Sequence, residues 1–242
     1  IYLDFLGSLA TLLADFTRIP ELNREWVDRN VELDFLDRLD QVQKHAEGKG
    51  ILLATGHLGS FELVAQIAAL LEFPIAIIVR RMKHARIDRF YNDIRAIHGN
   101  QIIYREGAYR EMVRAIRRGS SVGVLFDQNV TRNFAVFADW FGKPAATTKA
   151  LAMAALRTGC PILTVGLVNR PGEKYRLGML ECDYADIAQD SSLSKGEKIE
   201  QLTARVSQQF QELIRENPGG WFWMHRRWRT APDGVPENFY AA

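Results

Sequence analysis

The chain has 242 residues, 47% of them hydrophobic and 25% charged, with a formal net charge of +2. Those are ordinary globular values, enough for one large domain or two small ones around a substantial core. A charge this balanced disfavours nucleic acid as a partner and leaves any pull on anions to local clusters, while two cysteines without paired spacing, Cys160 and Cys182, disfavour a disulfide framework or zinc site and fit a reducing cytoplasm.

Beginning at Ile1 rather than Met, the chain reads as part of a longer protein, with no recognisable signal peptide. Its opening stretch, IYLDFLGSLATLLADFTRIP, is apolar, but the uncharged run from Phe5 to Ala14 is too short to cross a bilayer. Phe5, Leu6, Leu9, Leu12, Leu13 and Phe16 share one helical face, which predicts a helix packed on its own core, with an interfacial helix as the alternative. Polar helices are expected near 21–30 and 33–47. An alternation then sets in: GILLAT as strand, SFELVAQIAALLEF as helix, PIAIIV as strand, ARIDRFYNDIRAIHG as helix, QIIY as strand, AYREMVRAIRRG as helix and SVGVLF as strand. A long loop over 127–146 leads to the helix TTKALAMAALRTG and the strand PILTVGLV. KYRLGML adds an antiparallel edge, and GEKIEQLTARVSQQFQELIREN is a long helix ended by Pro218. The pattern predicts an α/β fold with a mainly parallel central sheet flanked by helices. One domain is the simplest division, with a helical region over 1–48 and the alternating core over 49–235.

TGHLGSFE, residues 55–62, raises the chemical question. With 29 acids in the chain, an acid five positions after a given histidine arises by chance roughly one time in eight. Context adds more than spacing. ILLAT must end at Gly56, which puts His57 at the carboxyl edge of a strand, where open α/β sheets bind ligands. Residues five apart within one helix would lie about 140° from each other, so His57 and Glu62 meet only if His57 is on the loop and Glu62 on the first helical turn. That is the wiring expected of a general base with an orienting acid. Ser60 reads as a helix cap and Cys160 as packing. Without a nucleophile on the protein, direct attack by a substrate hydroxyl on an activated acyl group fits best.

Other clusters gather at the same sheet edge. Arg80 and Arg81, with Lys83 and Arg86 behind them, suit phosphates or the acidic surface of a protein partner, or a solvated loop. Asp127 and Gln128 end a strand there as a polar turn positioning substrate; a metal would need further ligands that do not cluster nearby. Thr147 or Thr148 caps the next helix, and Lys149 in its first turn opposes the helix dipole unless an anion sits close. WFWMHRRWRT interleaves Trp221, Trp223 and Trp228 with Arg226, Arg227 and Arg229, which suits a membrane interface or, in part, a half-buried strand; Trp228 has the opposite parity from the other two.

TGHLGSFE resembles the His-x-x-x-x-acid motif of the lysophospholipid and glycerolipid acyltransferase superfamily, and more closely the bacterial lipid A biosynthesis acyltransferases. RGSSVGVLFDQNV, FADWFGKPAATTKALAMAALRTGCPIL and NPGGWFWMHRRWRTAPDG follow in the expected order, so the resemblance spans roughly residues 50–235. It implies an enzyme at the cytoplasmic face of the bacterial inner membrane that moves a fatty acyl chain from acyl carrier protein to a hydroxyl of a glucosamine-based lipid A precursor. By that motif His57 is the base and Glu62 its partner; backbone N–H groups near Gly59 or an arginine are the expected oxyanion donors, and no metal or other cofactor is implied. The family's amino-terminal membrane anchor is not recognisable in this chain, and Asn129 stands where many relatives carry another aspartate. The competing readings are an acyltransferase for another glycolipid or phospholipid, and a non-catalytic peripheral membrane or anion-binding protein.

Overall fold

The computed structural model describes residues 2–33, 35–168 and 173–235. An amino-terminal set, α1 (Tyr2–Arg18), α2 (Arg24–Asn30), β1 (Val31–Glu32) and α3 (Leu36–His45), precedes the alternating region. That region runs β2 (Leu52–Thr55), α4 (Phe61–Leu70), β3 (Ile75–Val79), α5 (Ala85–Ala96), β4 (Gln101–Tyr104), α6 (Ala108–Arg117) and β5 (Ser121–Leu125). The rest is β6 (Ala135–Trp140), β7 (Lys143–Thr148), α7 (Ala150–Thr158), β8 (Ile162–Val168), β9 (Tyr175–Glu181), α8 (Ala185–Gln189) and α9 (Lys195–Glu216).

Seven strands form one sheet in the order β1-β9-β8-β2-β5-β3-β4. The five from β8 to β4 are parallel to one another, as the strand-helix alternation requires. β2 and β8 are buried along their whole length, so they read as unbroken apolar runs rather than alternating ones. Leu52, Ala54 and Val122 point to one face, where Met112, Leu151, Leu202 and Phe210 pack from α6, α7 and α9. Leu53, Ile75 and Ile77 point to the other, against Leu63, Val64 and Ile67 of α4 and Leu39 and Val42 of α3. Each such side chain contributes about 1.5–3 kcal/mol when fully buried.

Three expectations change. The stretch 127–146 is not simply loop: β6 and β7 form an antiparallel hairpin closed by Phe141 and Gly142, both at positive φ. A left-handed phenylalanine is not a turn signal a sequence displays, which is why the hairpin is hidden. The next helix starts at Ala150, because β7 extends to Thr148. KYRLGML does pair antiparallel with β8, but β1 runs parallel beside it and forms the edge instead.

Candidate active site

β2 and β5 pair in parallel from Leu52↔Val122 to Thr55↔Leu125, so two residues further on His57 and Asp127 stand side by side. The backbone N–H of His57 donates to Asp127 Oδ2 at 2.8 Å, and its ring Nδ1 lies 2.9 Å from Asp127 Oδ1. The indole N–H of Trp221 donates to Oδ2 at 2.9 Å. Asp127 is only 3% exposed, and burial by itself would raise its carboxyl. The charge and hydrogen bonds of His57, with the Trp221 bond, outweigh that and hold it below the usual carboxylate range. An ionised carboxylate only accepts, so Nδ1 faces it with a proton, and in the neutral form of the ring Nε2 is then the nitrogen with the lone pair. Gly56 makes the approach possible: a Cβ there would lie 2.6 Å from the Asp127 Cγ and 2.5 Å from the Phe210 ring.

The turn carrying His57 is pinned by the segment after α9. Gly59 N–H donates to Gly220 O at 2.9 Å, Phe222 N–H donates to His57 O at 3.0 Å, and Leu58 bridges Trp221. The Gly59 N–H is therefore already bonded and is not free for a substrate oxyanion in this arrangement. The His57 ring, 21% exposed, meets the Phe61 ring edge-on at 4.7 Å. It borders a narrow apolar cleft lined by Phe5, Leu9 and Leu12 of α1 together with Phe61 and Phe222. The Gln128 side-chain nitrogen lies 3.2 Å from His57 Nε2.

Glu62 is not at the imidazole. It begins the first turn of α4, as expected, but its carboxylate turns toward α5 and takes Arg95 in a two-pronged pair at 3.0 and 2.5 Å. Both side chains are largely buried, and a guanidinium offers a carboxylate a better-matched fork than an imidazole does. The acid at the ring is Asp127. Ser60 occupies the helix N-cap position without capping through its side chain; its hydroxyl bonds Asp15 of α1, which also accepts from the Tyr175 hydroxyl at 2.8 Å. Both cysteines are buried; burial raises the Cys160 thiol and pushes that of Cys182 up to about 12, so neither is a ready nucleophile.

Arg80 and Arg81 are exposed beyond the carboxyl end of β3, with the Arg81 guanidinium 3.7 Å above the Tyr104 ring. Thr147 is buried and bonds Arg227, while Thr148 Oγ1 accepts from the Ala150 N–H at 3.3 Å. Lys149, not a threonine, holds the N-cap position of α7. None of Arg80, Arg81, Thr148 or Lys149 is hydrogen-bonded to the His57–Asp127–Gln128 cluster. The expectation of a headgroup-facing tryptophan block fails for Trp221 and Arg227, which are 2% and 1% exposed. Asp127 accepts from the indole; the Ala146 carbonyl and Thr147 accept from the two terminal nitrogens of the guanidinium, which lies over the face of Trp140. Trp228 is half-buried, its N–H 3.4 Å from the Lys143 carbonyl, whereas Trp223 and Arg226 remain exposed. Asn129 and Thr230 exchange two hydrogen bonds of 3.1 Å, a pairing that uses both the donor and the acceptor of the amide. A cavity of about 430 Å³ opens at the opposite edge, at the amino-terminal ends of the strands, but brings no acid and base into hydrogen-bond contact.

A family model described as bacterial lipid A biosynthesis acyltransferase matches residues 4–230. The chain belongs to that family. It is similar to the lipid A biosynthesis lauroyltransferase of Escherichia coli (strain K12), 26% identical over 220 residues that cover 88% of this chain and 68% of the relative. It is similar too to the palmitoleoyltransferase of the same organism, 24% identical over 213 residues covering 87% of this chain and 64% of that one. A Haemophilus influenzae lipid A biosynthesis acyltransferase is 23% identical over 201 residues, covering 81% and 61%. The chain thus spans about two thirds of the length of the curated relatives it matches. In this member of the lipid A acyltransferase family, the residues that sequence reasoning missed are Trp221, as a donor to the buried acid, and Arg95, as the owner of Glu62. Asp127 was singled out for its edge position but not paired with His57; the parallel register of adjacent strands is what joins them.

Proposed function

We propose that the chain transfers a fatty acyl group from an acyl carrier protein thioester to a hydroxyl of a glucosamine-based lipid A precursor, at the cytoplasmic face of the bacterial inner membrane. The observation that carries this reading is the His57–Asp127 pair, Nδ1 2.9 Å from Oδ1, with the His57 ring lining an apolar cleft. His57 Nε2 takes the proton of the acceptor hydroxyl as its oxygen attacks the thioester carbonyl. The tetrahedral intermediate then expels the thiolate, which recovers that proton from the imidazolium, so no acyl-enzyme forms. General-base help of this kind is worth about 10²–10⁴ in rate. Asp127 fixes the tautomer and stabilises the imidazolium; Gln128 holds the place on Nε2 that the acceptor hydroxyl takes over. Phe5, Leu9, Leu12, Phe61 and Phe222 cover the first carbons of the acyl chain. Arg80, Arg81 and Lys149 engage phosphates of the acceptor, and Glu62 acts through Arg95 by fixing α4 against α5.

The test is transfer from acyl carrier protein thioester to a lipid A precursor, followed by mass spectrometry. His57→Ala abolishes transfer while circular dichroism stays that of the wild type. Near-normal turnover in His57→Ala overturns the mechanism, and acylation of another lipid in preference to the lipid A precursor overturns the acceptor.

A further inference from the structure

α1 is apolar on two sides. Its inner side packs Phe5, Leu9 and Leu12 at the His57 cleft and ties Asp15 to Ser60 and Tyr175. Its outer side carries Tyr2, Leu3, Leu6 and Leu13, which are 71%, 80%, 42% and 62% exposed, with Ala10 and Ala14 between them. At about 100° per residue, the charges of the helix, Asp4, Asp15 and Arg18, all fall more than about 100° around from Leu6. The outer side is therefore an uncharged stripe over the whole helix, the opposite of what a water-facing surface helix shows.

The stripe continues onto α5. The Phe16 ring lies 5.0 Å from that of Tyr91, and Tyr91 meets Phe90 at 5.8 Å, so exposed Leu13 and exposed Phe90 flank one contact. Ile87 is exposed one turn away, 47% open to solvent. In the segment leading into α5 and on its flank stand Arg80, Lys83, Arg86 and Arg89, all exposed and none paired with an acid among the described residues; Arg86 lies about 40° around the helix from Phe90, and Asp93, the one exposed acid on α5, shares the flank of Arg86 and Arg89.

We infer that the outer side of α1 and the Ile87–Phe90 end of α5 form a single docking surface for an anionic lipid layer. An acidic protein would answer the cations, but an uncharged stripe about 25 Å long is matched by acyl chains and lipid glycerol rather than by a charged partner. The cleft beside His57 opens under the same helix, so docking there brings a membrane-resident hydroxyl to the base. The inference rests on the reading of the acceptor as a lipid.

The experiment is co-sedimentation of the chain with vesicles of phosphatidylcholine, with and without phosphatidylglycerol. The wild type binds the anionic vesicles more tightly, and added salt weakens that preference. Arg86→Gln with Arg89→Gln lowers affinity for anionic vesicles about 5-fold per charge, roughly 25-fold together, and leaves phosphatidylcholine vesicles unaffected. Leu3→Ser with Leu13→Ser weakens binding to both vesicles more than about 10-fold. Transfer to a detergent-dispersed acceptor is unchanged in the leucine pair; if the wild type shows no such transfer while the vesicle pattern holds, the catalytic reading fails and the docking surface stands. Wild-type vesicle binding by the leucine pair overturns the inference. So does loss of acyl carrier protein association with vesicle binding intact, or a wild-type dimer that the leucine pair dissociates in a protein that ignores vesicles.

Discussion

Replacing Asp127 by asparagine separates the orienting acid from everything else in the site, because it keeps the shape and removes one acceptor. Oδ2 receives two donors, the His57 backbone N–H at 2.8 Å and the Trp221 indole at 2.9 Å, while Oδ1 receives only the ring Nδ1–H. The single amide oxygen of asparagine must take the Oδ2 place, since an NH₂ there would strand two buried donors at about 1–3 kcal/mol each. The NH₂ then faces Nδ1, which must accept, and the ring proton moves to Nε2. The base is lost with the dyad otherwise in place. A wrong tautomer of this kind costs about 10³–10⁴ in kcat, or roughly 4–5.5 kcal/mol of barrier. The assay is steady-state transfer from acyl carrier protein thioester at fixed acceptor, with kcat and KM measured across pH. The same variant changes stability. Asp127 titrates below its ordinary value of 3.8, so as pH falls the unfolded chain takes up this proton before the folded one does. Its contribution is fully present above that value and is lost as pH drops through the depressed one, so acid unfolding of the asparagine variant is shallower below about pH 4. A kcat within tenfold of wild type, with an unchanged pH profile, refutes the assignment of Asp127.

If Glu62 acts through Arg95, then Glu62→Gln and Arg95→Gln each cost about 2–3 kcal/mol of stability and the double variant costs less than their sum; additive losses in a denaturant double-mutant cycle break the link. Trp221→Phe keeps the ring near Trp140, 5.7 Å away and within 17° of parallel, but removes one donor to Asp127, so kcat falls about 10–100-fold with KM little changed; an unaltered kcat means the indole is packing alone. Gly56→Ala drives a methyl toward both Asp127 and Phe210; adding Phe210→Leu restores part of the lost melting temperature but not the activity, and full recovery of both shows that Gly56 spaces only the core.

The sheet was legible because buried parallel strands announce themselves as apolar runs, and GILLAT, PIAIIV and SVGVLF do so at helix-spaced intervals. The hairpin after Asp127 was not, because its turn rests on Phe141 at positive φ, held there by its surroundings rather than by any local preference. The site divides the same way. His57 could be placed at the strand edge from Gly56 alone, yet its acid could not be chosen from spacing, since Glu62 and Asp127 both lie at that edge. What decides between them is non-local: Arg95, 33 residues beyond Glu62, takes one carboxylate away, and strand register sets the other beside the ring. The tryptophan block fails as a surface at Trp221 and Arg227 for a related reason. Aromatic and basic residues in one stretch look interfacial in sequence, but Asp127 answers the Trp221 indole, and Thr147 and Trp140 answer Arg227, from elements far away along the chain. The charge of a buried group is thus no guide to its position until its partners are known. A helix such as α1, whose outer apolar residues Tyr2, Leu3, Leu6 and Leu13 stay exposed in the folded chain, carries the stronger surface signal.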